Sequence, residues 1–165
     1  MKKIIFLSSM LALLLLVENS FSGWKETEIS RFVPLPPKIE IIRPPSDLPK
    51  EVAAFSGRWE GIWYEGIREG VRSILIVEKI NSTEAQGIYG WEKYGNFKAD
   101  YIRWKSKIFT GPRTKIEFVN VGMGGTNKHT FEMGEDLKTI YGLYEFQGKI
   151  LSGNSKTTMK KVEED

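Results

Sequence analysis

The side chains with the greatest capacity for chemistry are few and scattered along the chain. The 165 residues include one histidine, His129, and no cysteine. Thiolate metal sites, multi-histidine metal sites and cysteine nucleophiles are therefore excluded. A serine triad would need His129 as its base, and the sequence has no Gly-x-Ser-x-Gly nucleophile motif.

The acidic residues do not form a recognisable catalytic pair either. A glycosidase needs two carboxylates about 5–10 Å apart across a cleft. Glu60 and Glu145 lie on strands that could be neighbours, but both alternate with apolar residues, as outward-pointing side chains do. The other carboxylates considered follow no motif: Glu65, Glu69, Asp100 and Glu132. We therefore expect no enzyme, no metal and no cofactor, with an accessory domain of a hydrolase system as the alternative.

Positive charge is concentrated between residues 93 and 115, where seven basic residues accompany a single acidic one. Arg103, Lys105 and Lys107 alternate, so they share one face of a strand. Such a face predicts a surface for an anionic envelope polymer, a lipid or a protein. The plain alternative is a solvated outer face.

After Phe55 the chain consists of short strand-forming runs separated by glycine, asparagine and charged clusters. Apolar and polar residues alternate, and no apolar stripe at helical spacing persists beyond two turns. The pattern predicts an all-β protein with one antiparallel up-and-down barrel of about eight strands, preceded by a short helix and a Pro-rich extended arm. The expected strands cover 57–64, 71–80, 84–91, 99–109, 114–121, 128–133, 139–146 and 149–161.

The N-terminus has the form of a signal peptide. Two lysines precede an apolar run (4–17) that is too short to span a bilayer comfortably, and Ser20 and Ser22 supply the small residues of a cleavage site. We expect Sec-type export to the periplasm or the medium with a mature start at Gly23, the alternative being an uncleaved membrane anchor. Export argues against nucleic acid as a partner.

A proline-rich segment separates the signal peptide from the strands. Prolines fix φ and lack a backbone donor, which favours an extended spacer over packed structure, with a docking peptide as the alternative. A short helix is expected over 48–55, capped by Ser46 or Asp47. The predicted organisation is a signal peptide (1–22), a Pro-rich linker (23–50), a barrel domain (51–162) and a tail (163–165).

Two copies of Gly-x-Trp lie side by side in the first expected strand, GRWEGIW (57–63). This strand resembles the opening strand of the lipocalin–avidin superfamily of calycin-type barrels, and in particular bacterial exported lipocalin-like domains. In such barrels the first-strand tryptophan closes one end beneath a basic side chain of the last strand. The resemblance implies that Gly57 and Trp59 form a structural plug, with Lys160 or Lys161 as the basic partner.

A barrel of about eight strands either fills its interior with its own side chains or holds one small ligand. Strand alternation predicts that the following side chains point into the barrel: Trp63, Ile74, Ile76, Tyr89, Trp91, Phe118 and Tyr144. Of these, the predicted ligand-binding residues are Trp63, Tyr89, Trp91, Phe118 and Tyr144.

These observations together predict an exported, non-catalytic barrel module. It would bind a small apolar or amphipathic ligand or a cell-envelope component. The alternative is an interaction or structural module that uses the basic face (93–115) or the Pro-rich arm to bind an anionic envelope polymer, lipid or protein.

Overall fold

Eight antiparallel strands close into a single barrel in the computed structural model, which describes residues 27–122 and 124–163. Each strand pairs with its neighbours in sequence and the first pairs with the last, so the closed sheet leaves no free edge. The all-β class and the up-and-down order predicted from the sequence are confirmed. The elements are α1 (Lys50–Ala53), β1 (Gly57–Gly66), β2 (Arg72–Ile80), β3 (Glu84–Trp91), β4 (Asp100–Phe109), β5 (Lys115–Gly122), β6 (Gly125–Met133), β7 (Thr139–Gly148) and β8 (Ser152–Val162).

The predicted helix is present but is a single turn. Pro49 precedes α1, and no side chain caps the first turn, so the expected cap by Ser46 or Asp47 is wrong. The predicted signal peptide, residues 1–22, lies outside the described residues, and so does the end of the predicted tail. Among the described residues, no helix is long and apolar enough to cross a membrane.

Alternate residues of all eight strands point into the barrel and form one apolar cluster. Its largest fully buried strand residues are Trp59, Trp63, Tyr89, Phe131, Leu75, Ile116, Ile140 and Met159, and Phe55 packs with them from the segment before β1. Side chains of a strand alternate between the two faces, so this inward set fixes the register of each strand. The interior is therefore largely filled by the protein's own side chains.

The expectation that Ile74 and Ile76 face the lumen is wrong. On β2 the inward residues are Leu75 and Val77, whereas Ile74 and Ile76 pack with Ile88 in a separate cluster on the outer face. Both faces of β2 are buried, so its sequence is an almost continuous apolar run that gives no signal for which residues point inward.

The outer face of β2 and β3 is covered by the segment 27–49, which we call the arm. Val33 is buried against this face, and the N–H of Ile42 donates a 2.8 Å hydrogen bond to the carbonyl of Glu78. The arm lies so close to Gly90 that a Cβ atom there would stand 2.7 Å from Cγ1 of Val33. The expectation of an unpacked spacer is therefore wrong for this part of the linker.

Candidate functional site

One end of the barrel, which we call the mouth, contains a cavity of about 420 Å³. The mouth is formed by the connections 67–71, 92–99 and 149–151, and by the ends of β5 and β6 where Gly122 pairs with Gly125. A volume of this order is typical of small-molecule sites, which are concave and mostly apolar.

The wall of the cavity is mainly apolar. Its apolar lining includes Ile67, Val71, Trp91, Ile102, Phe146 and Leu151. The hydroxyl of Tyr94 donates a hydrogen bond to the carbonyl of Ile67, so two of the mouth connections are joined across the opening. The apolar surface of a ligand packed against this wall would be removed from water, which favours binding.

Two charged side chains line the cavity, the cation Arg68 and the carboxylate Asp100, and they form no ion pair with each other. The guanidinium carbon of Arg68 lies 3.7 Å from the ring centroid of Tyr144, and Nη1 forms a long contact of 3.5 Å with the hydroxyl of Tyr89. Within the described part of the chain Arg68 forms no ion pair with a carboxylate. Partial burial of a guanidinium without a counter-ion costs free energy, and a bound anion would offset that cost.

His129 lies in the cavity wall with only 1% of its surface exposed. Its ring stacks on Phe118 at 4.9 Å and lies 4.5 Å from the ring of Tyr89. Burial, and then the positive charge of Arg68, hold the pKa of His129 well below its ordinary value of 6.5, so the ring is neutral near pH 7.

Two polar atoms at the cavity have no hydrogen-bond partner in the described protein. They are Nδ1 of His129 and Oδ1 of Asn120, and both are buried. The neighbouring amide of Asn127 is satisfied, because its Oδ1 accepts a 2.6 Å hydrogen bond from Tyr144. A buried polar atom without a partner is costly, so these two atoms mark places where a ligand donor or acceptor would be stabilised.

The five predicted ligand-binding residues divide into two groups. Trp91 and Tyr144 line the cavity. Trp63, Tyr89 and Phe118 instead form a buried aromatic layer in contact with the cavity-lining residues. In this layer Nε1 of Trp63 donates to the hydroxyl of Tyr89 at 3.1 Å, so its one donor is already used.

Sequence reasoning missed Arg68 and Asn120 as site residues. Arg68 lies in the connection between β1 and β2, where no strand alternation assigns a direction to a side chain. His129 was considered only as an acid–base group. The apolar residues Phe131 and Met133 follow it at spacing two, and this alternation is a sequence signal that His129 faces inward.

The opposite end of the barrel, which we call the closed end, is sealed by Trp59. Its ring is fully buried, and Nε1 donates a 2.8 Å hydrogen bond to the carbonyl of Phe55. Of the two lysines predicted for this place, Lys161 lies over the ring, 5.3 Å from its centroid, and donates to the carbonyl of Ala54 at 2.8 Å. Gly57 adopts φ +111° beneath Lys161, a conformation that favours glycine.

The predicted anionic-partner face is partly neutralised by its own neighbours. Nη1 of Arg103 lies 2.7 Å from a carboxylate oxygen of Glu78, and Nζ of Lys105 lies 2.9 Å from one of Glu84. Lys107 is exposed on the same face. Two of the three basic side chains therefore already have carboxylate partners, which weakens the face as a continuous positive surface.

The structure separates the carboxylates considered in the sequence: Asp100 lines the mouth cavity, whereas Glu60 and Glu145 do not. Glu60 and Glu145 are not on adjacent strands, because β8 lies between β1 and β7. Glu60 forms an ion pair with Arg58 and accepts hydrogen bonds from Thr27 of the arm. Among the described residues no group of three acidic or histidine side chains could hold a metal ion.

Comparison with known proteins gives no family assignment. No protein-family model matches the sequence, and no curated protein is significantly similar to it. The closed barrel of eight antiparallel strands is consistent with the calycin-type fold that the first strand resembles.

Proposed function

We propose that the protein binds one small amphipathic molecule at the mouth of the barrel. The apolar part of the ligand lies against the cavity wall, and an anionic head group lies beside Arg68. The observation that carries this proposal is an apolar cavity of about 420 Å³ whose one cation has no carboxylate partner among the described residues.

The chemistry of Arg68 favours a carboxylate or a phosphate head group. A guanidinium is planar and presents paired N–H donors that match two oxygens of such an anion. The surrounding apolar wall excludes water, so the attraction between the two charges is stronger than on an exposed surface. His129 stays neutral beside Arg68, and one of its ring nitrogens can donate to the same anion.

The unpartnered Oδ1 of Asn120 supports a second polar group on the ligand. An amide oxygen accepts hydrogen bonds, so it is suited to a hydroxyl or an amide N–H. A ligand with an anionic head and a neighbouring donor would satisfy both sites at once. The apolar remainder would contact Trp91, Ile102 and Phe146.

The proposed type of protein is an exported, non-catalytic lipocalin-like carrier. The double Gly-x-Trp of the first strand, the closed barrel and the contact of Lys161 with Trp59 support the lipocalin-like assignment. The apolar run of residues 4–17 and the serines at 20 and 22 support export to the periplasm or the medium. The alternative function, anion binding by the basic face, has less support because Arg103 and Lys105 are paired.

Native mass spectrometry of the protein isolated from its own cell envelope tests the cavity without assuming a ligand. We expect a bound small molecule that is released on unfolding. A barrel that carries no small molecule, and that also binds none of the amphiphiles described next, would contradict the proposal.

A matched pair of amphiphiles tests the head group. Dodecanoate and dodecanol share their alkyl chain and differ in charge, and their binding is measured by displacement of an environment-sensitive fluorophore. Arg68→Gln is expected to weaken dodecanoate binding about 10- to 100-fold and to leave dodecanol nearly unchanged, since hydrogen bonds to charged groups are the strong ones. Arg113→Gln, which changes an arginine at the closed end, serves as the control.

The outcomes separate the two parts of the proposal. If neither amphiphile binds, the cavity is not the binding site. If both bind and Arg68→Gln changes neither, the cavity binds apolar chains but the anionic head group is wrong.

A further inference from the structure

The rim of the mouth carries four large apolar side chains, which include the three most exposed in the described chain. Phe97, Val121, Ile150 and Leu151 expose 56%, 82%, 102% and 61% of their surface. They stand on three separate parts of the mouth: the β3–β4 connection, the end of β5 and the β7–β8 connection. In the described chain, the closed-end connections 81–83, 110–114 and 134–138 carry no exposed large apolar side chain, and Phe109 at the closed end of β4 is less exposed, at 41%.

The apolar surface of the rim continues into the cavity. Phe97, Val121 and Leu151 are exposed to solvent and also line the cavity wall. A hydrocarbon chain entering or leaving the cavity would therefore stay in contact with apolar side chains along its path. This continuity links the rim to the cavity.

The same connections carry lysines. Lys93 and Lys98 lie between β3 and β4, and Lys149 lies between β7 and β8; all three are exposed, and none forms an ion pair with a described residue. Acidic residues are fewer here: Glu92 forms an ion pair with Arg72 of β2, and the exposed carboxylates without an ion pair to a described residue are Glu69 and Asp100, two against the three lysines. Exposed apolar side chains flanked by lysines are complementary to a lipid surface with anionic head groups.

We propose that the rim of the mouth docks on an anionic lipid surface, so that the cavity opens towards the bilayer. The exposed apolar side chains of the rim enter the interfacial region of the bilayer, while Lys98 and Lys149 contact the head groups. A folded protein partner is less suited to this rim. A stable protein interface needs about 800 Å² of packed surface on each side. The apolar side chains of the rim instead project separately around the cavity opening. Docking rests on the exposure and charge of the rim and does not require the ligand proposed above.

The absence of cysteine allows a readout that is specific to the rim. Ile150→Cys places a single polarity-sensitive fluorophore on the rim, and Ser82→Cys places the same fluorophore on an exposed closed-end turn. Both are mixed with vesicles of phosphatidylcholine, with and without phosphatidylglycerol. The readout is local, so vesicle attachment through the N-terminal apolar run does not by itself produce a signal at residue 150.

We expect a blue shift at residue 150 on vesicles that contain phosphatidylglycerol, and none at residue 82. In the Ile150→Cys protein, replacing Lys98 and Lys149 by glutamine should raise the lipid concentration for half the shift about 30-fold, since each lysine contributes about fivefold near an anionic surface. The matched control replaces the exposed closed-end residues Lys50 and Lys79 by glutamine and should have little effect. No shift at residue 150, an equal shift at residue 82, or an equal effect of the two lysine pairs would overturn the proposal.

Discussion

The two ends of the barrel are made by the same eight strands, yet their side chains are used differently. At the closed end Trp59 is fully buried, its N–H is hydrogen-bonded to Phe55, and Lys161 covers its ring. At the mouth a cavity remains, and Asn120 and His129 in its wall each have a buried polar atom without a partner in the described protein, beside Arg68.

This difference separates stability from binding within one fold. Packing and satisfied hydrogen bonds at the closed end lower the free energy of the folded state. Unsatisfied polar atoms and an open apolar wall at the mouth raise it, and such local costs are typical of functional sites. The comparison predicts that substitutions at the closed end change mainly the free energy of unfolding, and that substitutions at the mouth change mainly binding.

Replacing the two tryptophans one at a time gives the largest contrast. Trp59→Ala removes a fully buried ring and should lower the free energy of unfolding by about 3–5 kcal/mol. Trp91→Ala removes a half-buried ring at the cavity and should cost less than about 2 kcal/mol. Urea unfolding monitored by circular dichroism measures both. If Trp59→Ala does not fold, Trp59→Phe should still be destabilised more than Trp91→Phe, and equal losses would refute the contrast.

The pH dependence of stability should report the buried histidine at the mouth. The pKa of His129 is lowered in the folded state, so the unfolded chain binds the proton more readily. The resulting stability is fully present above the unfolded pKa of 6.5 and is lost as pH falls below it towards the folded pKa. The slope should reach at most about 1.4 kcal/mol per pH unit.

His129 is the only histidine, so its contribution can be isolated. The free energy of unfolding of the native protein is compared with that of His129→Gln from pH 7.5 to pH 5.5. Between these two pH values the free energy of unfolding of the variant should fall much less than that of the native protein, whatever the stability of the variant at pH 7.5. Parallel curves for the two proteins would show that His129 titrates normally in the folded state.

The closed end could be predicted well from the sequence. Eight short strand-forming runs with apolar–polar alternation and short connections predicted the barrel, and the repeated Gly-x-Trp of β1 added a resemblance to a known barrel family. Trp59 was predicted as a plug under a lysine of the last strand, and Lys161 lies over its ring. These features depend on residues inside regular strands, where position in the sequence determines direction.

The mouth and the outer face of β2 were harder to predict, for two physical reasons. Arg68 lies in a connection, where side-chain direction depends on tertiary contacts such as that with Tyr144. Ile74 and Ile76 were assigned to the lumen by strand alternation alone, and the arm was separately expected to be a spacer. Once Val33 of the arm packs on this face, both sides of β2 are apolar and alternation carries no information.

A smaller effect distinguishes the two adjacent lysines of β8 at the closed end. Lys161→Met removes the contact with the Trp59 ring and the hydrogen bond to Ala54, and should lower the free energy of unfolding by about 1–2 kcal/mol. Lys160→Met removes an exposed side chain that contacts Thr139, and should change it by less than about 0.5 kcal/mol. Thermal and urea unfolding of both variants measure the difference. A larger loss from Lys160→Met would contradict the assignment of Lys161 as the residue that covers Trp59.

The smallest effect on stability is expected for the basic residue of the mouth. Arg68→Gln loses a cation–π contact with Tyr144, worth about 0.5–1 kcal/mol, but it also removes a half-buried charge whose desolvation is not offset by a carboxylate. These two contributions have opposite signs, so the free energy of unfolding without ligand should change by less than about 0.5 kcal/mol. Lys161 and Arg68 each place a cation over an aromatic ring, one at each end of the barrel. Urea unfolding of Lys161→Met and Arg68→Gln therefore compares the two ends directly. A loss from Arg68→Gln as large as that from Lys161→Met would show that the mouth arginine is held for stability, and the division of roles between the two ends would then be wrong.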